Sequence, residues 1–234
     1  MPTPIHIHPT AELAARVLLP GDPGRALRLA QQLIDEPKMF NHNRGLWGYT
    51  GPALIDGELL TVQSTGMGGP STAIVASELI NLGARRLLRV GTCGGLDPSL
   101  ELSTLLVATE AIGDDGTSQA LAMLDPGRGD RFPASPLLLG ALLKSAAASG
   151  PIVSSDLFYD AGDRHERWRA AGAQAVEMEA ATLFVLAARR GVEAGCALLV
   201  SDTLTGAPVR IDDDALHRAE SALGELAVGA LAAA

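Results

Sequence analysis

The sequence predicts a single-domain α/β protein over residues 1–234, three layers deep (α/β/α), with helices on both sides of a central mixed β-sheet. Three observations carry that expectation. Short apolar runs alternate with longer Ala- and Leu-rich stretches, the pattern of strand, turn and helix repeated. Glycine-rich turns stand at the ends of several apolar runs. A chain of 234 residues, 47% hydrophobic, suits one large domain with a sizeable core better than two small ones. Aromatics make up only 3%, so that core must be mostly Leu, Val, Ile and Ala.

The elements follow in order. Val17, Leu18 and Leu19 form a short strand that ends at Pro20-Gly21-Asp22-Pro23-Gly24, and a helix follows over residues 25–34. A second strand, over 59–64, opens into Thr65-Gly66-Met67-Gly68-Gly69-Pro70. The helix after it runs over 71–82, with Ile74, Leu79 and Leu82 among its buried candidates; Pro70 stands at its start, where a helix tolerates proline. A third strand over 87–90 ends in the turn Gly91-Thr92-Cys93-Gly94-Gly95, and a fourth covers 105–108. The polar stretch 114–134 is expected to be a loop region covering a site. Residues 136–149 and 176–190 read as helices, the second with Gly191 as its C-cap. A central strand over 197–200 ends at Ser201-Asp202, and Asp212, Asp213 and Asp214 crowd the start of the last helix, where the macrodipole favours acids. Several strands thus deliver glycines or polar residues at their C-terminal ends, the edge at which open α/β sheets bind ligands.

Charge narrows the function classes. With 27 acidic against 18 basic residues the net charge is −9, which removes the long-range attraction that nucleic-acid binding relies on. A small anion remains compatible where a few arginines cluster. Cys93 and Cys196 are far apart and read as free buried thiols of a cytoplasmic protein. Met1-Pro2-Thr3-Pro4 shows no basic region leading into an apolar run, so no signal peptide is expected, and the apolar stretches are too short for a membrane span.

Four places carry potential chemistry. In Gly21-Asp22-Pro23-Gly24-Arg25, glycine lets backbone N–H groups approach an anion, a helix start adds its positive dipole end, and Arg25 adds a donor fork suited to phosphate. An ordinary strand-to-helix turn with a solvated arginine reads equally well. Arg89 stands inside the apolar run Leu87-Leu88-Arg89-Val90, where burial demands a bound anion or a carboxylate partner; Thr92 adds a hydroxyl at the strand end. The glycines of Gly66-Met67-Gly68-Gly69 lack dinucleotide-binding spacing, so a Rossmann cofactor is rejected. In Val176-Glu177-Met178-Glu179, two carboxylates flank a methionine before an apolar run, fit either to bind sugar hydroxyls or simply to occupy a helix N-terminus. Asp202 follows the apolar strand directly; an acid partly withdrawn from water there is suited to donate a proton, although a turn aspartate would look the same.

Taken in order, the motifs resemble the bacterial-type nucleoside phosphorylases, which include hexameric purine nucleoside phosphorylases and uridine phosphorylases. They are Pro20-Gly21-Asp22-Pro23-Gly24-Arg25, Asn43-Arg44-Gly45, Thr65-Gly66-Met67-Gly68-Gly69-Pro70-Ser71, Arg89-Val90-Gly91-Thr92-Cys93-Gly94, Ser155-Asp156-Leu157-Phe158-Tyr159, Val176-Glu177-Met178-Glu179-Ala180-Ala181 and Val200-Ser201-Asp202. The resemblance covers essentially the whole chain. It implies that Gly21, Arg25, Arg89 and Thr92 hold phosphate, joined by Arg44 from a neighbouring subunit. An N-terminal histidine, His6 or else His8, would cross the same interface to the ribose 5′-hydroxyl. Met67, Met178 and Glu179 are implied as the ribose set. Phe158 and Val176 would pack on the base, with Glu177 beside them.

The resemblance further implies that Asp202 is the acid that protonates a leaving purine, assisted by an arginine for which Arg210 is chosen over Arg218. It implies no cofactor beyond inorganic phosphate as co-substrate. The expected partners are a nucleoside and phosphate, with no nucleic acid and no membrane, in a cytoplasmic homo-oligomer of dimers forming a hexamer. Asp202, and a short 159–176 segment with no Gln-Arg pair matching the one that the uridine members' insertion supplies, favour a purine base, whereas Thr92 and the 65–72 segment are closer to the uridine branch. Methylthioadenosine phosphorylase, a phosphate-independent nucleosidase and a non-catalytic nucleoside-binding protein are the competing readings.

Overall fold

A computed structural model describes residues 4–125, 127–159, 162–205 and 208–234. The remaining positions fall at the N-terminus, in the 114–134 and 159–176 segments and between Asp202 and Arg210, and lie outside the described residues.

The elements, in chain order, begin with β1 (Arg16–Pro20), α1 (Pro23–Leu33), β2 (Lys38–Asn41), a 3-10 turn (Asn43–Gly45), β3 (Gly48–Pro52), β4 (Leu59–Gln63) and α2 (Gly69–Leu82). Then come β5 (Arg86–Gly95), β6 (Leu105–Asp114), α3 (Gly116–Met123), β7 (Arg131–Pro133), α4 (Pro136–Leu142) and β8 (Ala148–Ser155). The chain closes with α5 (Arg164–Ala170), β9 (Ala175–Glu177), α6 (Ala180–Arg190), β10 (Glu193–Thr203), β11 (Val209–Arg210) and α7 (Asp213–Ala233). Among the described residues, no helix is long and apolar enough to cross a membrane.

All strands join one mixed sheet in the order β11-β10-β6-β8-β9-β5-β1-β4-β3-β2, with β7 paired to β6. A further pairing, β10 with β5, closes β10, β6, β8, β9 and β5 into a ring. β1, β4, β3 and β2 extend from it as an open wing. Side-chain alternation along the strands feeds two cores. Val17, Leu87, Cys196 and Leu198 face one core with α2, α3 and α6, while Leu18, Leu88, Ala197 and Leu199 face another with α1, α4 and α7. The expected helix–sheet–helix layering follows from that alternation.

Several expected boundaries are corrected. The residues read as a turn, Gly91 to Gly95, continue β5, because β10 pairs along one side of them and β9 takes up the other at Gly94 and Gly95. The 114–134 segment is not a plain loop: Asp115 caps α3 through Ser118 N–H at 2.7 Å, and β7 pairs with β6. The helix expected over 136–149 stops at Leu142, and β8 begins at Ala148. Residues 175–177 form β9, held between β5 and β8, so that helix α6 starts only at Ala180. In α2, Leu79 is buried but Ile74 and Leu82 are on the exposed side. Gly191 does cap α6, at φ 64° in the left-handed region that glycine enters without strain.

Candidate active site

β5 is buried on both faces, and Arg89 lies in its middle with 5% of its surface exposed. Its guanidinium folds back along the strand over Gly91, where an added Cβ would stand 2.8 Å from Nη2. The glycine therefore makes room for the arginine. Nε donates to Glu177 Oε2 at 2.7 Å, and Nη2 meets Glu179 Oε2 at 2.5 Å. Nη1 has no hydrogen-bond partner among the described residues. Burial works against the charge, but Glu179 and Glu177 outweigh it and raise the pKa of Arg89 above its ordinary value. The sequence left open a bound anion or a carboxylate partner for Arg89; the carboxylates are present, and one nitrogen remains for an anion.

The two glutamates have different surroundings. Glu177, at the end of β9, accepts the N–H groups of Glu179 and Ala180 as well as the Ser154 hydroxyl. It thus satisfies the first N–H groups of α6, where the helix dipole also favours an anion. Glu179 accepts Gly68 N–H at 2.5 Å, which ties the glycine turn after β4 to the start of α6. Burial raises the pKa of Glu179, Arg89 opposes that shift, and Glu177 reinforces it.

The end of β1 lies against the end of β4. Gly66 N–H donates to the Gly21 carbonyl at 3.1 Å, and a Cβ on Gly21 would stand 3.1 Å from the Gly66 carbonyl oxygen. Asp22 caps α1 by accepting the N–H groups of Gly24 and Arg25. Arg25 is buried and donates through Nε to Glu220 of α7 at 2.7 Å; Arg28 shares the same carboxylate. A cavity of about 180 Å³ between α1 and α7 is lined by Arg25, Arg28, Gln32, His217 and Glu220, and of the expected site residues it touches Arg25 alone.

Asp202 and Val176 stand on opposite sides of one residue. Gly94 of β5 pairs with Val176 of β9 on one side and with Asp202 of β10 on the other. A side chain at Gly94 would strike Leu204 at 2.6 Å. Asp202 Oδ2 accepts the Ser201 hydroxyl at 2.7 Å. Arg210 pairs with Asp202 across the β10–β11 hairpin, its Nε 3.9 Å from Oδ1, but the arginine is 75% exposed and the contact is loose. Arg218 lies exposed on α7. Phe158 and Tyr159 stack edge to face and are exposed, as is Met67; Met178 and Thr92 are half-buried.

Arg44 and His6 make no hydrogen bond or ion pair to Arg89, Glu177 or Glu179. Arg44 is exposed in the 3-10 turn at φ 57°, a strained value for a residue with a side chain. His6 is partly covered and contacts Glu78 and Asn43, whereas His8 is exposed.

A model of the phosphorylase superfamily matches residues 15–232. The chain belongs to the phosphorylase superfamily. It is similar to a uridine phosphorylase of Treponema pallidum, with 37% identity over 91% of this chain and 87% of that one. It is equally similar to a DeoD-type purine nucleoside phosphorylase of Caldanaerobacter subterraneus subsp. tengcongensis, with 37% identity over 82% of this chain and 84% of that one. A guanosine phosphorylase of Halorubrum lacusprofundi is 39% identical over 80% of this chain and 78% of its own. This member is an enzyme, a pentosyltransferase.

Within this superfamily frame, four groups that hold expected site residues escaped the sequence reading: Gly68 and Ser154 on the two glutamates, Glu220 on Arg25 and Glu78 on His6. Gly68 N–H and Ser154 act through a turn and a strand whose pairing is not local. Glu78 is the one acid on the otherwise mainly apolar helix α2, and that contrast was the available signal; Glu220 stands among His217, Arg218 and Ser221 and gives none.

Proposed function

We propose that the protein is a purine nucleoside phosphorylase, converting a purine ribo- or deoxyribonucleoside and inorganic phosphate to free base and pentose 1-phosphate. The observation that carries this reading is the placement of Asp202 and Val176 on either side of Gly94, on the strand that also brings Arg89 to Glu179. An acid, an apolar wall and a guanidinium–carboxylate pair then stand along one strand.

In this reading Gly21, Arg25, Arg89 and Thr92 hold phosphate, with Arg44 supplied by a neighbouring copy. Met67, Met178 and Glu179 hold the ribose, and His6 of the neighbouring copy takes its 5′-hydroxyl. Phe158 and Val176 pack on the base. Glu177 moves out of the base set, because its oxygens are filled by Arg89, Ser154 and two backbone N–H groups; it orients Arg89 instead. As the glycosidic bond breaks, its electron pair passes to the purine and Asp202 donates a proton to a ring nitrogen, with Arg210 assisting. The cationic sugar is stabilised by bound phosphate, one oxygen of which then bonds to the anomeric carbon. The working form is a cytoplasmic homohexamer built of three dimers that needs no further cofactor.

The test is base release from inosine, guanosine, adenosine, methylthioadenosine, uridine and thymidine, with and without phosphate. Phosphate-dependent cleavage of a purine nucleoside is expected. Higher kcat/KM for uridine would replace the reading with a uridine phosphorylase, which Thr92 and the Treponema relative favour. Full-rate cleavage without phosphate would mark a nucleosidase, and no cleavage at all a binding protein.

A further inference from the structure

Glu78 of α2 is an acid with 13% of its side chain exposed, and it is not among the residues assigned above. Its carboxylate collects the N-terminal segment. Ile5 N–H donates to Oε1 at 3.0 Å, His6 N–H to Oε2 at 2.9 Å, and Ile7 N–H to Oε2 at 2.7 Å. Three successive N–H groups converging on one carboxylate bend the chain around it as an anion nest. The ring of His6 closes the arrangement, with Nδ1 2.8 Å from Oε1. A carboxylate only accepts, so Nδ1 carries the proton of that bond. In the neutral ring Nε2 is then left as an acceptor.

The second N-terminal histidine has the opposite setting. His8 places Nε2 3.1 Å from the Ile5 carbonyl, which also only accepts, so the proton sits on Nε2. The cluster also reaches Arg44. Asn43 donates through Nδ2 to the His6 carbonyl at 2.9 Å, and Asn41 Oδ1 accepts the N–H groups of His8 and Asn43. His6 and the turn that carries Arg44 are thus one hydrogen-bonded unit with Glu78 at its base.

We propose that Glu78 is a positioning residue for nucleoside recognition: it holds His6 in one orientation and one tautomer, with Nε2 presented to the 5′-hydroxyl of a nucleoside bound in a neighbouring copy. The proposal rests on the reading of His6 given above and selects His6 over His8. Glu78 touches no substrate and acts through the ring it holds.

The experiment compares full-length wild-type protein, Glu78→Gln, His6→Ala and the double variant on a purine nucleoside and its 5′-deoxy analogue. The expected result is that Glu78→Gln loses about tenfold or more of the preference for the 5′-hydroxyl, as sites built to bond a substrate hydroxyl do when that bond is lost. The kcat/KM for the 5′-deoxy analogue and the KM for phosphate stay unchanged. Adding Glu78→Gln to His6→Ala changes nothing further. ¹⁵N spectra of the imidazoles should show His6 protonated at Nδ1 in the wild type and mixed in Glu78→Gln. Retention of the wild-type preference by Glu78→Gln overturns the proposal. So does an equal loss on both substrates with a lowered Tm, which would make Glu78 a structural tie only. A wild type inactive on every nucleoside overturns the functional reading instead, and the ¹⁵N spectra still decide whether Glu78 sets the His6 tautomer.

Discussion

Nη2 of Arg89 and Oε2 of Glu179 lie 2.5 Å apart, with both side chains almost wholly buried. Glu177 stands on the same guanidinium, so one cation faces two carboxylates in a dry place. Such a cluster persists only because Gly68, Glu179, Ala180 and Ser154 donate to the remaining oxygen positions.

Glu177→Ala should be severely destabilising. It strips the partner from Arg89 Nε and leaves the first N–H groups of α6 unmet. Breaking a buried pair of this kind costs about 3–5 kcal/mol. Denaturant unfolding measures it, and a loss of about 1 kcal/mol or less, typical of an exposed pair, would contradict the role.

Gly91→Ala tests whether Arg89 must lie where it does. The new Cβ would sit 2.8 Å from Nη2 and 3.0 Å from Cζ, so the guanidinium has to move. Overpacking of this sort costs about 1–3 kcal/mol. If Arg89 binds phosphate, part of that cost appears as a raised phosphate KM, by about 5- to 150-fold if all of it is expressed in binding. An unchanged phosphate KM would remove Arg89 from the phosphate site.

If Asp202 is the acid, as proposed, Asp202→Asn keeps the shape of the site and removes the transferable proton. Purine turnover should fall about 10²- to 10⁴-fold, with phosphate binding by calorimetry unaltered. Near-normal kcat in the variant would end the assignment of Asp202 as the acid.

Acid should loosen the N-terminal segment. Burial pushes the Glu78 pKa up, but the His6 ring and the N–H groups of Ile7, Ile5 and His6 outweigh it, so the native value lies below the ordinary one. A depressed carboxylate pKa contributes stability that is complete above the unfolded value, near ~4.3, and is lost as pH falls through the native value. Tm measured from neutral pH downward should therefore drop less steeply in Glu78→Gln than in the wild type. Parallel acid limbs for the two proteins would show that Glu78 makes no such contribution.

The fold class was legible because apolar runs and glycine turns punctuate the chain from end to end. Boundaries failed where tertiary pairing overrode local pattern. Ala175, Val176 and Glu177 precede an apolar helical run and look helical, but β5 and β8 claim them as a strand. Gly91 to Gly95 look like a turn, yet their missing side chains serve Arg89 and Leu204 within a strand. At the site, the motifs named the residues and strand order gathered some of them: Arg89, Glu177 and Glu179 touch, and Asp202 and Val176 flank Gly94. The partners of Arg25 and His6 were not legible, because Glu220 lies 195 residues from Arg25 and Glu78 lies 72 from His6.

The ring made by β10, β6, β8, β9 and β5 has a consequence for how such an enzyme diversifies. A strand in a closed ring cannot slip by one position without breaking pairs on both its sides. The carriers of Arg89, Glu177 and Asp202 are therefore locked to one another against mutational drift. The hairpin after Asp202 and the stretch holding Phe158 and Tyr159 lie outside that lock. Change can accumulate there at little risk to the frame, a division of labour that suits relatives named for uridine, guanosine and purines in general.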